Sequence, residues 1–210
     1  WQTVATTASA NTATAQDGTT TADTLSEGVS NDRHITYVDN LAVTSGLTYT
    51  LSVYAKYVDR QYAVLGLDAG PISRVYFDLV NGTVTSEVSC TGAISSAGGG
   101  WYRLSLTATA VSVGSYPQFA MSDRSAPGGS MAFDTPVYAG TGKTVQIWGA
   151  QLNLGPTALP YQRVNTASDY SSTGITPFQL YDGTDDGMAT ASFAAGTLIN
   201  GMDCMIALRR

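Results

Sequence analysis

Three runs of two-residue alternation constrain this chain more than anything else in it: residues 48–56, 100–107 and 145–152. Side chains that change character at every second position belong to strands with one face buried. In the first run Tyr49, Leu51, Val53 and Ala55 point one way, and Thr50, Ser52, Tyr54 and Lys56 the other. In the second, Tyr102, Leu104 and Leu106 oppose Trp101, Arg103, Ser105 and Thr107. One face is therefore apolar, while the other sets large aromatics beside hydroxyls and cations.

Further strands are expected at 33–39, 62–67, 72–80 and 115–122, with 101–110 and 144–153 completing the runs already described. Asn81-Gly82 reads as a two-residue hairpin turn, because both central residues tolerate positive φ. That turn would set Leu79 opposite Val84 and Val75 opposite Val88, with Tyr76 meeting Glu87 and Asp78 meeting Thr85. Gly98-Gly99-Gly100 is a turn, and Ala126-Pro-Gly-Gly129 a loop. No stretch holds a helical period over three turns. Many short strands with regular turn signals imply an all-β fold, an antiparallel β-sandwich of the jelly-roll kind.

Gly155-Pro156 and Pro160 close the first domain, since proline cannot continue a ladder. Residues 1–164 form that domain, 165–177 a Ser/Thr/Asn-rich linker, and 178–210 the beginning of a second β domain. The chain opens at Trp1 without methionine and stops in mid-strand at Arg210, which reads as a fragment or a processed product. No signal peptide is visible.

Charged residues make up 12% of the 210 positions, against about 25% in ordinary soluble domains. Lys56 and Lys143 are the only lysines, and the net charge is −6. Without a Lys/Arg cluster, nucleic acid is excluded as a partner. No apolar run is long enough to cross a membrane as a helix. Cys90 and Cys204 are too few and too far apart for a disulfide framework or a metal knuckle, and read as free thiols.

The non-core face suits a sugar. Pyranose C–H patches pack on aromatic rings, and hydroxyls need donors and acceptors at the ring edges. Tyr54, Tyr76 and Trp101 share the outward parity of their strands; Lys56, Asp78, Glu87 and Arg103 share it as well and suit hydroxyls or a uronate carboxylate. The ligand-binding set is accordingly Tyr54, Lys56, Tyr76, Asp78, Trp101 and Arg103, joined in one patch if their strands are neighbours. The competing reading puts the same aromatics into ordinary packing, with Trp101 capping the sandwich and Tyr76 under a loop. Trp148 shares its parity with Ala150 and Leu152 and reads as core.

Catalysis is not expected. His34 is the only histidine, no Gly-x-Ser-x-Gly elbow is present, and Asp78 with Glu87 reads as an inert cross-strand pair rather than a glycosidase dyad. Asp182, Asp185 and Asp186 miss the alternating spacing of a calcium loop and read as solvated turn carboxylates. No cofactor or metal is expected.

The ordered elements Asp17–Asp23, Tyr49–Lys56, Gly100–Leu104 and Ile147–Leu152, followed by Pro160-Tyr161, resemble the carbohydrate-binding-module-like jelly rolls of tailed bacteriophages and phage-like particles. Leu180–Gly187 resembles the opening strand of a laminin-G or concanavalin-like sandwich. These resemblances imply a virion-surface fibre or spike protein that binds host cell-surface glycan and aids adsorption. They also imply neighbouring virion proteins and a homo-oligomer as partners. The alternative is a purely structural virion domain. A third, lesser reading is an accessory domain of a polysaccharide-degrading enzyme.

Overall fold

Large apolar or aromatic residues alternate with hydroxylated and polar ones in residues 48–57 and 101–109, and each of these runs is a strand. The structure, a computed structural model, describes residues 1–163. The expected linker 165–177, the second domain 178–210, Cys204 and the three turn aspartates lie outside the described residues.

In chain order the strands begin with β1 Gln2–Val4, β2 Thr6–Ala13, β3 Ala22–Glu27, β4 Asn31–Asp32, β5 His34–Tyr37 and β6 Leu41–Ala42. There follow β7 Thr48–Tyr57, β8 Tyr62–Asp68, β9 Ile72–Asp78, β10 Thr83–Val88, β11 Thr91–Gly98 and β12 Trp101–Thr109. The last are β13 Gly114–Ser122, β14 Met131–Ala132, β15 Thr135–Pro136, β16 Tyr138–Ala139 and β17 Thr144–Leu154.

Two antiparallel sheets form the body. The seven-stranded sheet runs β1-β5-β13-β8-β9-β10, with β6 added to β13; the six-stranded sheet runs β11-β12-β7-β17-β3-β2. Leu51, Val53, Leu104 and Leu106 from the six-stranded sheet meet Leu65, Leu67, Val75, Phe77 and Phe119 from the other. This is the β-sandwich expected from the alternation, and Leu51, Val53, Leu104 and Leu106 point inward as that pattern requires.

The hairpin of β9 and β10 departs from expectation. Asp78 pairs with Thr83 and Phe77 with Val84, a bulge follows, and Tyr76 then pairs with Ser86 and Val75 with Glu87. The connection is therefore the four residues Leu79–Gly82, not Asn81-Gly82 alone. The physical reason is Asp78. Its carboxylate accepts from the Val80 and Asn81 amides at 2.9 and 3.0 Å, and its carbonyl accepts from Gly82 N at 2.9 Å. Gly82 alone takes the left-handed conformation, with φ +66°. An aspartate that caps its own turn outcompetes the shorter loop.

Candidate functional site: an aromatic row and its cleft

On the outer face of the six-stranded sheet, the register sets Lys56 opposite Trp101 and Tyr54 opposite Arg103, while Tyr54 also pairs with Trp148 across β7 and β17. Three neighbouring strands thus hold Arg103, Tyr54 and Trp148 in a row. The Arg103 guanidinium lies 5.4 Å from the Tyr54 ring centroid. Tyr54 and Trp148 are 5.3 Å apart, tilted by 49°, and Trp148 and Tyr161 are 4.5 Å apart, tilted by 55°. These are edge-tilted arrangements that aromatic quadrupoles favour.

Trp148 reaches this face through a bulge. Trp148 pairs with Tyr54 and Gln151 with Ser52, leaving Gly149 and Ala150 as an irregularity in the ladder. Gly149 adopts φ +62°, and a side chain there would crowd the Tyr54 and Tyr161 rings. Parity therefore reverses between Trp148 and Leu152. Leu152 faces the core, whereas Trp148 belongs to a separate outer cluster. The expectation that Trp148 shares the sandwich core with Leu152 is corrected on this ground. A glycine inside an otherwise regular strand pattern is the signal for such a bulge.

The outer face is not open. The β2–β3 loop folds across it, so that Trp101 packs with Ala13, Ala15 and Ala22 and retains only 4% of its exposure. Gln16 Nε2 donates to the Ala97 carbonyl, and Trp148 Nε1 donates to Thr21 Oγ1 at 3.1 Å. The segment 155–163 forms a strap on the same face. Thr50 Oγ1 donates to the Gly155 carbonyl at 2.8 Å, Arg103 to the Leu159 carbonyl, and Gln162 N to Gln151 Oε1 at 3.0 Å. Arg103 also donates to Ser52 Oγ at 3.1 Å. Trp101 and Arg103 are thus packing and strap-holding residues in this structure.

Tyr76 and Asp78 do not join Tyr54, Lys56, Trp101 and Arg103. β9 lies in the other sheet, so the single six-residue patch does not form. Tyr76 is fully buried with Ile35, Val64 and Ala120, and burial pushes its hydroxyl up to about 12. Asp78 is 5% exposed and gives its carboxylate to the turn and to Gln61 Nε2 at 3.0 Å. Burial works against its charge, but the Asn81 and Gln61 bonds win and hold its carboxyl below the ordinary value. Alternation fixes which face of its own strand a side chain occupies; it does not say which sheet the strand enters. The Tyr76 hydroxyl finds no partner among the described residues. Tyr76→Phe is accordingly expected to melt at the same temperature as the native protein or higher. A marked loss of stability in thermal unfolding would reveal a partner for that hydroxyl.

The aromatic row ends in a concave site. A cleft of about 310 Å³ runs from Trp148 and Tyr161 past Thr21 and Asp23 to Trp1 and Arg163. Its lining draws on both sheets, with Ala8, Leu25, Val53 and Ile147 of the six-stranded one and Thr36 of the other. Asp23 Oδ1 accepts from the Asn11 amide at 3.0 Å, which fixes the carboxylate at the wall. Aromatic rings beside a few fixed polar groups in a concavity are the composition that ligand pockets commonly have. Among the described residues, no group of three or more His, Cys, Asp or Glu is placed to hold a metal. His34 is fully buried, with Nδ1 2.7 Å from the Ala5 carbonyl and Nε2 3.1 Å from that of Tyr138. Its ring is closed to solvent. No family model matches the chain, and no curated protein matches it.

Proposed function

We propose that this chain is a non-catalytic β-sandwich module that binds surface polysaccharide through the Trp1–Trp148–Tyr161 cleft, as a virion-surface fibre or spike domain would. The observation that carries the reading is the aromatic row itself. Trp148 and Tyr161 lie 4.5 Å apart in a tilted pair and line a cleft that Asp23 and Arg163 also line. Rings offer area for sugar C–H faces at little entropic cost, and the carboxylate and guanidinium meet hydroxyls. A charge-poor, hydroxyl-rich surface is consistent with a partner that is itself uncharged or weakly charged.

The test uses Trp1→Ala, because Trp1 is 63% exposed and its removal leaves the core intact. Retention on purified bacterial surface polysaccharide is expected to fall about tenfold, the equivalent of one lost aromatic contact. The melting temperature should stay where it is. Undiminished retention in this variant rules out the cleft, and no retention by the native protein on any polysaccharide favours the structural reading.

A further inference from the structure

Asn81-Gly82 carries a chemistry that neither the sandwich core nor the cleft uses. An asparagine followed by glycine loses ammonia spontaneously, because no Cβ on the glycine hinders the approach of its backbone nitrogen. Gly82 N would attack Asn81 Cγ, forming the new N–C bond of a five-membered imide. The Cγ–Nδ2 bond breaks, and the Nδ2 group leaves with the Gly82 N–H proton as ammonia. One water then splits the imide, giving aspartate if it opens at Cγ and isoaspartate if it opens at the backbone carbonyl. Water reaches this turn, since Asn81 is exposed and Val80 beside it is 50% exposed.

In the folded chain Asp78 holds both nitrogens of the step. Gly82 N, the nucleophile, donates to the Asp78 carbonyl at 2.9 Å. Asn81 Nδ2, the leaving group, donates to Asp78 Oδ2 at 2.8 Å. Asn81 N donates to Oδ1 at 3.0 Å and fixes the backbone between them. Tyr102 closes over the glycine as well, for a Cβ on Gly82 would lie 2.6 Å from the Tyr102 Cε1. Asp78 is itself immobile, paired in the ladder with Thr83 on one side and Tyr62 on the other, with Gln61 Nε2 donating to Oδ2 at 3.0 Å. Attack at Cγ therefore needs at least two of these bonds broken. It also develops negative charge on the Gly82 nitrogen beside a carboxylate, which like charge opposes.

We propose that Asn81 is a latent self-modification site, closed by Asp78 and converted to aspartate or isoaspartate when the turn opens. Conversion runs one way. A carboxylate at position 81 has no N–H to offer Asp78 Oδ2, so two like charges face each other where a hydrogen bond stood. Isoaspartate in addition lengthens the backbone of a four-residue connection by one methylene. The proposal is independent of the cleft, whose lining includes neither Asp78, Asn81, Gly82 nor Tyr102.

Peptide mapping by mass spectrometry, on the full chain incubated at mildly alkaline pH, tests it. The native folded protein is expected to keep the amide at 81, and the same chain in guanidinium to lose it. Asn200-Gly201, the other Asn-Gly pair, supplies the reference rate in the unfolded chain. Folded Asp78→Asn should convert at 81 about tenfold faster than the folded native chain, the equivalent of one lost bond to a charged group. Asn81→Asp writes the product into the chain and leaves Asp78 in place, so it keeps the test open if Asp78→Asn does not fold. It should melt below both the native protein and Asn81→Ala, which loses the bond without adding charge. A folded native chain that converts as fast as the unfolded one overturns the proposal, as does an unfolded chain that keeps Asn81 while Asn200 converts. Equal rates in folded native and Asp78→Asn protein, or an Asn81→Asp protein as stable as the native one, remove Asp78 as the closing group and overturn it too.

Discussion

Trp101→Ala is expected to cost about 3–5 kcal/mol of folding stability, the range for removing a large aromatic from a packed site. Trp101 is 4% exposed, and its ring is enclosed by Ala13, Ala15 and Ala22 from the β2–β3 connection together with Tyr54, Ala97 and Trp148. The alanines among these neighbours are small and fixed in strands or a tight loop, where Ala15 N donates to the Thr19 carbonyl at 2.7 Å. They cannot collapse far into the space left behind, which puts the cost toward the upper part of the range. Denaturant unfolding of Trp101→Ala against the native chain reads this directly. A loss under about 1 kcal/mol would mean that the ring is exposed in solution and that the loop does not lie over it. The variant also separates packing from recognition, because a folded Trp101→Ala protein should still bind through the cleft at the far side of Trp148.

How far the alternation carries is visible in individual residues. Leu51, Val53, Leu104 and Leu106 are core, as their period-two spacing requires, and the pairing of β7 with β12 brings Tyr54 to Arg103 and Lys56 to Trp101. That much of the candidate face was legible. β11 was not, because Thr91–Gly98 is built of small residues with a single large apolar side chain, Ile94, and so has little contrast to read. β2 has the same poverty in Thr6–Ala13, an edge strand exposed along most of its length. Tyr76 and Asp78 were assigned the correct outward parity and the wrong company, since topology places β9 in the other sheet. The outer faces then turned out to be covered. The six-stranded sheet is covered by the irregular segments 14–21 and 155–163, and the outer side of β9 by 123–134, none of which has a periodicity from which a docking position can be read. Trp148 moved from core to site through one local event, the Gly149 bulge, whose signal is present in the sequence as a glycine within a strand.

The second large effect is expected at Glu27, the acid at the end of β3. Its carboxylate is 3% exposed and accepts from Arg60 Nε at 3.0 Å, Tyr138 Oη at 2.8 Å, Thr141 N at 2.8 Å and Thr141 Oγ1 at 3.0 Å, with Arg60 also closing an ion pair. Arg60 in turn stands 5.2 Å from the Tyr138 ring centroid. One buried anion therefore ties β3, the β7–β8 connection and the segment between β16 and β17. Burial alone would raise its pKa; the Arg60, Thr141 and Tyr138 bonds outweigh that and hold it down from 4.5 to about 2. A carboxyl with a depressed folded-state value contributes its full stabilisation above the unfolded value and loses it as pH falls through the folded one. For Glu27 that window runs from about pH 4.5 down to about pH 2. Glu27→Gln keeps the shape but leaves the Arg60 charge buried without its counter-charge, and is expected to cost about 3 kcal/mol at pH 7. Because the glutamine does not titrate, the gap between the two proteins should narrow steadily as pH is lowered through that window. Guanidinium unfolding at neutral pH and at several acidic values measures both quantities. A gap that stays constant from pH 7 to pH 2.5 would show that the Glu27 ion pair does not set the acid sensitivity of the fold, and that other carboxylates, such as Asp78 at its turn, carry it instead.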